Sequence, residues 1–227
     1  TANITSDGKG NWTVNNTHVP ELVNVTVQKV WTDANDQDGF RPVSVTVQLL
    51  KDGNVINTTV LNATNNWKFT FKDLDKYENG VVIVYSVNET AVVNYTANIT
   101  SDGKGNWTVN NTHIPELVNV SVEKVWNDFN DFDGIRPNNI TVMLYANGNN
   151  IKNATLNKST DWKFTFYDFD KYEQGVLINY TIKELIEGDY NTTINNNSYE
   201  FIIVNSHIRS NMTVEKVSLN GTDFVVI

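Results

Sequence analysis

The stretch TANITSDGKGNWTVNNTHVPELVNVTV, residues 1–27, returns almost unchanged as TANITSDGKGNWTVNNTHIPELVNVSV, residues 96–122. KVWTDANDQDGFRP, residues 29–42, likewise returns as KVWNDFNDFDGIRP, residues 124–137, again shifted by 95 residues. Self-similarity at a fixed period marks a chain built from repeated structural units. The sequence therefore predicts two full repeats, over residues 23–113 and 118–207.

Incomplete copies of the same unit flank the two full repeats. Residues 1–20 match only the tail of a repeat, and residues 211–227, which contain MTVEKVSLNGT, match only its start. We expect the first segment to be the C-terminal strand of a preceding repeat. The second is expected to begin a following module.

Each repeat is a series of short alternating runs separated by Gly, Asn and Asp. In the first copy the runs are VTVQKVW, VSVTVQLL, INTTVLN, WKFTF, VVIVYSV and NWTVNNTH. Period-two alternation at this spacing is typical of an all-β sandwich, and no run has the period of an amphipathic helix. The predicted fold is two tandem immunoglobulin-like β-sandwiches, each with six or seven strands and with partial flanking modules.

Composition and charge exclude several function classes. The formal net charge is -9 and no basic stripe is visible, which argues against nucleic-acid binding. No apolar run approaches the roughly 20 residues of a membrane span. The first ten residues, TANITSDGKG, lack the basic and apolar regions of a signal peptide, so a targeting segment is expected outside this stretch. There is no cysteine, so disulfides cannot stabilise the domains.

Asparagine is abundant, and N-x-S/T sequons occur along the whole chain. They reflect either compositional bias or sites of N-linked glycans. In both cases a weakly charged, amide-rich surface indicates an extracellular protein. The sequon asparagines are Asn3, Asn11, Asn15, Asn24, Asn57, Asn62, Asn88, Asn94, Asn98, Asn106, Asn110, Asn119, Asn139, Asn153, Asn157, Asn179, Asn191, Asn196, Asn211 and Asn220.

Strand alternation places three polar side chains on the apolar face of each repeat. They occupy the first, penultimate and last predicted strands. They are Lys29, Glu89 and Asn111 in the first repeat, and Lys124, Glu184 and Asn205 in the second. Burying a charge without a partner is costly, and a buried ion pair often fails to offset its desolvation. The recurrence of the same three exceptions therefore indicates a chemical role.

The chemistry available to these groups is amide transfer. A desolvated lysine has a lowered pKa and becomes nucleophilic, while a desolvated glutamate has a raised pKa and can donate a proton. The lysine amine would attack the asparagine carboxamide, the glutamate would shuttle protons, and ammonia would leave. The product is a Lys–Asn isopeptide bond. The alternative is an unreacted Lys–Glu–Asn hydrogen-bond network.

The pattern V-x-K-V-W-x-D…D-G-x-R-P…W-x-F-x-F…K-Y…Y-x-V/I-x-E…N-T/S-H resembles the Cna-B-type domains of Gram-positive and methanogen surface adhesins. The resemblance covers residues 23–207, and the asparagine-rich composition also resembles methanogen adhesin-like proteins. It implies an isopeptide triad of the lysine, glutamate and asparagine named above. The second repeat departs from the pattern at its end, with NSH for NTH and HIRS for HIPE.

The resemblance also implies a structural role, as rigid stalk repeats of an extracellular adhesin on the cell surface or wall. No cofactor is expected, and bond formation happens once per domain rather than as enzymatic turnover. The expected partners are neighbouring repeats and a host or cell-surface ligand. Two alternatives stay open: modules that themselves bind a glycan or host protein, and subunits of a head-to-tail filament.

Asn16 and Lys216 repeat the acceptor and donor positions without a partner in the same flanking segment. They are either parts of further repeats or groups that meet between two molecules.

DANDQDG, residues 33–39, and its copy at 128–134 are similar to calcium loops. An EF-hand, however, needs a glutamate at position 12, where Ser44 and Asn139 stand. We therefore predict polar loops. The three histidines lie in T/S-H motifs at the repeat tails and are expected to pack at strand ends, with no metal site.

Overall fold

The computed structural model describes residues 1–185, 189–207, 215–219 and 222–226. These residues form an almost wholly β structure, which confirms the predicted fold class. The helices within the described ranges are two three-residue 3-10 turns, Ala63–Asn65 and Lys158–Thr160. Neither is long enough or apolar enough to cross a membrane.

The chain forms two compact units, made mainly of Thr1–Pro115 and of Glu116–Glu173 with Leu177–Ile227. The strands are β1 Ala2–Ser6, β2 Trp12–Asn16, β3 Leu22–Thr32, β4 Ser44–Lys51, β5 Asn54–Asn62, β6 Lys68–Asp75, β7 Tyr77–Glu78, β8 Val81–Val82, β9 Tyr85–Glu89, β10 Thr96–Ser101, β11 Asn106–Thr112, β12 Leu117–Asn127, β13 Asn139–Ala146, β14 Asn149–Asn157, β15 Lys163–Asp170, β16 Tyr172–Glu173, β17 Val176–Leu177, β18 Tyr180–Leu185, β19 Asn191–Asn197, β20 Glu200–Ser206, β21 Glu215–Leu219 and β22 Thr222–Val226.

Strands β3 to β11 form the first sandwich, called domain 1. One sheet has the order β10-β11-β3-β6 and the other the order β5-β4-β9. Alternate residues of β3 are buried, as its sequence pattern predicts, because successive strand side chains point to opposite faces. Both sheets contribute to one apolar core, with Val27 and Val109 from the first sheet and Val47 and Leu49 from the second, all fully buried.

The first and last strands of domain 1 are neighbours and run parallel. Val109 of β11 pairs with Lys29 of β3, and Asn111 pairs with Trp31. Parallel neighbours cannot be joined by a tight turn, so the rest of the domain forms the crossover between them. The two ends of the domain are thus adjacent strands of one sheet.

Strand β10, Thr96–Ser101, corrects the predicted strand order. The sequence reading put Glu89 on the penultimate strand, whereas β10 lies between β9 and β11 in the chain. The predicted run VVIVYSV is also broken into β8 and β9. The backbone N–H of Ile83 donates to the carbonyl of Lys76, and that of Val84 donates to the Asp52 carboxylate, so neither continues a ladder.

The hairpin loop before β11 packs directly on the backbone of β3. The N–H of Thr26 donates to the carbonyl of Gly105 at 2.8 Å. Gly105 has a φ of +90°, and a Cβ there would lie 2.6 Å from the carbonyl oxygen of Asn24. Only glycine therefore fits at this position.

Strands β12 to β20 form domain 2, with sheets of order β15-β12-β20-β19 and β14-β13-β18. The first and last strands are again parallel, and Val125 pairs with Val204. The β19–β20 hairpin has a shorter turn than its counterpart, through Ser198 at a φ of 55°. This shortening moves the last-strand asparagine to Asn205 rather than to position 206.

The β1–β2 hairpin repeats the sequence of β10–β11 without its surroundings. Residues 1–18 are identical to residues 96–113, and the two hairpins have the same register. Their burial differs, because β2 has no neighbour corresponding to β3 among the described residues. Val14 is 58% exposed, whereas its counterpart Val109 is 0% exposed.

The C-terminal segment forms a two-stranded hairpin of β21 and β22, in which the backbone of Lys216 pairs with Val225. The predicted module at 211–227 lies partly outside the described residues, at 211–214, 220–221 and 227.

The two identical hairpins provide a matched test of packing. We expect Val109→Ala to lower the free energy of unfolding of domain 1 by about 2 kcal/mol, because it removes buried methyl groups and leaves a cavity. Val14→Ala should change it by less than about 0.5 kcal/mol. Denaturant unfolding of the two variants measures both values. Equal effects would contradict the difference in burial.

Candidate cross-linking site

In domain 1 the structure brings Lys29, Glu89 and Asn111 together inside the core. They are 3%, 7% and 0% exposed, respectively. Lys29 and Asn111 lie on the adjacent parallel strands β3 and β11 and are diagonal neighbours on one face. Such neighbours are about 7–8 Å apart at Cα, which is within reach of a lysine side chain. Glu89 comes from the facing sheet, so the site joins both layers of the sandwich.

The Lys29 amine is held by weak contacts. Its Nζ lies 3.5 Å from Oε1 of Glu89 and donates to the carbonyls of Val30 and Val109 at 3.2 and 3.4 Å. It also lies 4.1 Å from the centre of the Trp31 ring, in a cation–π contact. Burial lowers the pKa of Lys29 to about 8, although Glu89 acts in the opposite direction. The neutral form of the amine is therefore more populated than in an exposed lysine.

The Asn111 carboxamide lies in the same core without a hydrogen-bond partner. Neither its Oδ1 nor its Nδ2 has a hydrogen-bond partner among the described residues, and Glu89 has only the 3.5 Å contact with the Lys29 amine. Buried polar groups without hydrogen bonds each cost about 1–3 kcal/mol. This arrangement of polar groups is therefore energetically poor.

Domain 2 repeats the arrangement with a longer lysine–acid contact and with two hydrogen bonds to the acid. Nζ of Lys124 lies 3.9 Å from Glu184, and Nδ2 of Asn205 donates to Oε1 of Glu184 at 3.1 Å. Thr192 donates to Oε2 of the same carboxylate at 3.2 Å. Burial lowers the pKa of Lys124 to about 8 and raises the pKa of Glu184, so both groups are shifted toward their neutral forms.

A second recurring cluster lies beside each lysine and was missed in the sequence reading. In domain 1 Arg41 donates to both oxygens of buried Asp33, at 2.9 and 2.6 Å, and the Tyr95 hydroxyl donates at 2.9 Å. Arg41 also lies 5.5 Å from the ring centre of Trp31, which already contacts Lys29. Burial acts to raise the pKa of Asp33, but these hydrogen bonds outweigh it and lower the pKa.

The same cluster gives a structural role to the first aspartate of the acidic loops at residues 33–39 and 128–134. Asp128, Arg136 and Tyr190 repeat the contacts in domain 2. The first aspartate of each loop therefore accepts from an arginine eight residues later. The signal in the sequence was the joint recurrence of K-V-W-x-D and D-G-x-R-P. Among the described residues no group of three or more His, Asp or Glu side chains is arranged to hold a metal ion.

The histidines at the strand ends join two loops. His113 contacts the carbonyl of Asn94 through Nδ1 and the carboxylate of Asp38 through Nε2, both at 2.9 Å. His207 makes the corresponding contacts with Asp189 at 2.9 Å and Asp133 at 3.3 Å. They lie directly after the last strands, which places them beyond the asparagine of each site.

The geometry thus defines a class of protein: tandem immunoglobulin-like sandwiches with a lysine, an acid and an asparagine buried between the first and last strands. The model of the Cna protein B-type domain matches residues 25–112 and 120–206. The chain belongs to the family of Cna protein B-type domains.

The chain is also similar to individual proteins. The collagen adhesin of Staphylococcus aureus is 40% identical over 185 residues, which are 81% of this chain and 16% of that protein. The crystal structure of two B repeat units of the same organism's collagen-binding protein is 36% identical, with a TM-score of 0.44, covering 92% of this chain and 55% of the other. That of a single B repeat unit is 37% identical, with a TM-score of 0.39, covering 82% and 98%.

The Asp128–Arg136 pair predicts a pH-dependent contribution to the stability of domain 2. The hydrogen bonds from Arg136 lower the pKa of Asp128 to about 2, against about 3.9 in an unfolded chain. The stabilisation is therefore complete above the unfolded value and is lost as the pH falls toward 2. Its size is about 2 kcal/mol.

We expect Arg136→Ala to destabilise domain 2 by about 2–3 kcal/mol at neutral pH and to remove most of this acid dependence. Lys163→Ala, which breaks the exposed pair with Glu123, should cost under about 1 kcal/mol. Hydrogen exchange read by mass spectrometry resolves the two domains. An Arg136→Ala protein with the parent's acid dependence would show that the pair is not its source.

Proposed function

We propose that each domain forms an intramolecular isopeptide bond, between Lys29 and Asn111 in domain 1 and between Lys124 and Asn205 in domain 2. Glu89 and Glu184 serve as the proton-transfer groups. The observation that carries this proposal is the convergence, in both cores, of a lysine with lowered pKa, an acid from the facing sheet and an asparagine carboxamide.

The reaction balances without a co-reactant. The neutral amine of Lys29 attacks Cγ of Asn111 while the protonated Glu89 donates to the carboxamide oxygen and polarises the carbon. Glu89 then accepts a proton from the attacking nitrogen and passes it to the departing nitrogen, which leaves as ammonia, while the carboxamide oxygen returns its proton to Glu89. The fold holds both reactants in place, so the attack is effectively unimolecular.

The product is energetically better suited to the core than the reactants. Two buried ionisable groups facing an unpaired carboxamide are replaced by one neutral secondary amide and a single acid. The new bond would also link strands that lie far apart in sequence, which restricts the unfolded chain as a disulfide would. No cysteine or oxidising compartment is needed.

A cross-link at this place supports a mechanical role. The first and last strands of each sandwich carry the chain into and out of the domain, and the bond would join them directly. Tension applied through the chain would pass across the bond rather than through the core. We propose that these domains are stalk repeats of an extracellular surface protein. The curated relative is an adhesin, of which this chain matches a limited part.

The hairpin at residues 1–18 supports a longer array. It has the sequence and register of the last hairpin of domain 1, and Asn16 holds the place of Asn111. We propose that this hairpin completes a further repeat, in which Asn16 is the acceptor, and that Lys216 begins another. The proposed domain bounds remain 23–113 and 118–207. Glycans on the sequons, a bound ligand and the filament alternative stay predictions.

Intact mass tests the bonds directly. Protein of residues 1–227 from a host that does not glycosylate should be lighter than its sequence mass by two ammonias. Glu89→Ala and Glu184→Ala should each restore one ammonia, because each removes the proton shuttle of one domain. Glu78→Ala, at an exposed ion pair, serves as the control and should restore none. A parent mass equal to the sequence value would rule out the mechanism.

Single-molecule pulling tests the mechanical role. In the parent chain the segment between Lys29 and Asn111 should not extend, because the covalent bond between these two residues carries the force. In Glu89→Ala that segment should extend while domain 2 stays unextended. Extension of domain 1 in a parent protein whose mass shows both bonds would contradict the proposed stalk function but not the chemistry.

A further inference from the structure

The two sites differ at one position directly opposite the reactive asparagine. Thr192 of β19 pairs with Asn205, and Ala97 of β10 pairs with Asn111 in the same register. The three reacting side-chain types occupy corresponding strands of the two domains, although these strands differ at other positions, such as Val109 against Ile203 beside the lysine. The chain therefore contains two related versions of one site.

The threonine changes the surroundings of the acid. Its hydroxyl donates to Oε2 of Glu184 at 3.2 Å, and Asn205 donates to Oε1 at 3.1 Å. Both hydrogen bonds favour the carboxylate form of Glu184 and so act against burial, which favours its neutral form. In domain 1 Ala97 offers no donor, and Glu89 contacts the Lys29 amine at 3.5 Å without a hydroxyl or amide donor beside it among the described residues.

We propose that Thr192 is a positioning residue that slows amide transfer in domain 2 by holding Glu184 as a carboxylate, and that Ala97 lets domain 1 react faster. The proposal rests on the isopeptide reaction proposed above. It assigns to one exposed hydroxyl a difference in reactivity between the two domains.

The physical basis is the balance between two forms of the lysine–glutamate pair. The charged pair and the neutral pair have the same net charge, so their ratio does not change with pH while the pair as a whole holds one proton. Only the neutral pair reacts. A hydrogen bond donated to the carboxylate stabilises the charged pair and lowers the neutral fraction, by roughly tenfold for a bond of average strength to a charged group.

The hydroxyl should also leave a signature in the pH–rate profile. On the acid limb of the profile the rate rises with pH, because Glu184 loses its proton while Lys124 is charged. The hydrogen bond from Thr192 shifts this limb to lower pH. On the alkaline limb the rate falls with pH, because Lys124 loses its proton beside the Glu184 carboxylate. The hydrogen bond from Thr192 is present both before and after this proton is lost. The alkaline limb should therefore not move.

The groups facing Glu184 are Lys124, Asn205 and Thr192, with Asp128 and Arg136 beyond the lysine. None of these other groups is altered by a change at Thr192, so a shift of the acid limb reports on the threonine hydrogen bond.

The experiment follows bond formation in newly made full-length chains. Protein is synthesised in a cell-free system in the cold, transferred at once to buffers from acid to alkaline pH, and quenched in acid at intervals. Mass spectrometry of the intact chain and of its proteolytic fragments gives the ammonia lost from each domain. The variants are Thr192→Val, which keeps the shape but removes the hydroxyl, Thr192→Ser, which keeps the hydroxyl, and Ala97→Thr.

We expect domain 2 to react about tenfold more slowly than domain 1 in the parent. Thr192→Val should raise the plateau rate of domain 2 by roughly tenfold and shift its acid limb to higher pH, while Thr192→Ser stays close to the parent. Ala97→Thr should slow domain 1 and shift its acid limb to lower pH. A merely structural role would lower rates at every pH and move neither limb.

The inference is overturned if both domains lose ammonia but Thr192→Val and Ala97→Thr leave the rates and acid limbs unchanged. If Thr192→Val does not fold, Ala97→Thr alone decides the question, because it introduces the hydroxyl into the other domain. Absence of ammonia loss from both domains of the parent would instead overturn the isopeptide proposal itself.

Discussion

Each core encloses a lysine amine in a hydrocarbon interior, and the surrounding structure compensates for that desolvation. The Lys29 amine contacts a carboxyl from the facing sheet, the face of Trp31 and two backbone carbonyls. These contacts do not fully replace the hydration shell that the amine has in water. These partners come from strands that only the complete sandwich brings together. The contacts that offset the desolvation of the lysine therefore form only in the folded domain. The same fold places the amine near a carboxamide.

The sequence predicted the faces of the strands and therefore the three side chains of each site, because side-chain direction along a strand is a local property. It failed where contacts depend on chain closure. Strand β10 was missed because TANITS lacks strong apolar alternation, and its place is set by pairing with β11. The Asp33–Arg41 pair was missed because it depends on the closed shape of the loop. Thr192 gave no signal, since its role exists only opposite Asn205.

The two identical hairpins show which properties depend on the local sequence and which depend on the neighbouring strands. Residues 1–18 and 96–113 adopt the same register and turn, so hairpin formation is encoded within those 18 residues. Burial is not encoded there: Val14 is exposed and Val109 is fully buried because β3 lies beside one hairpin alone. The same distinction applies to chemistry, since Asn16 and Asn111 are the same residue in the same local structure but only Asn111 faces a lysine.

The parallel pairing of β3 with β11, and of β12 with β20, fixes where the chain enters and leaves each sandwich. Parallel neighbours begin at the same end of the sheet, measured along the strands. A chain that enters at the start of β3 therefore leaves at the opposite end, at the end of β11. Antiparallel terminal strands would return the chain to the end where it entered. Each repeat therefore carries the chain from one end of its own sheet to the other.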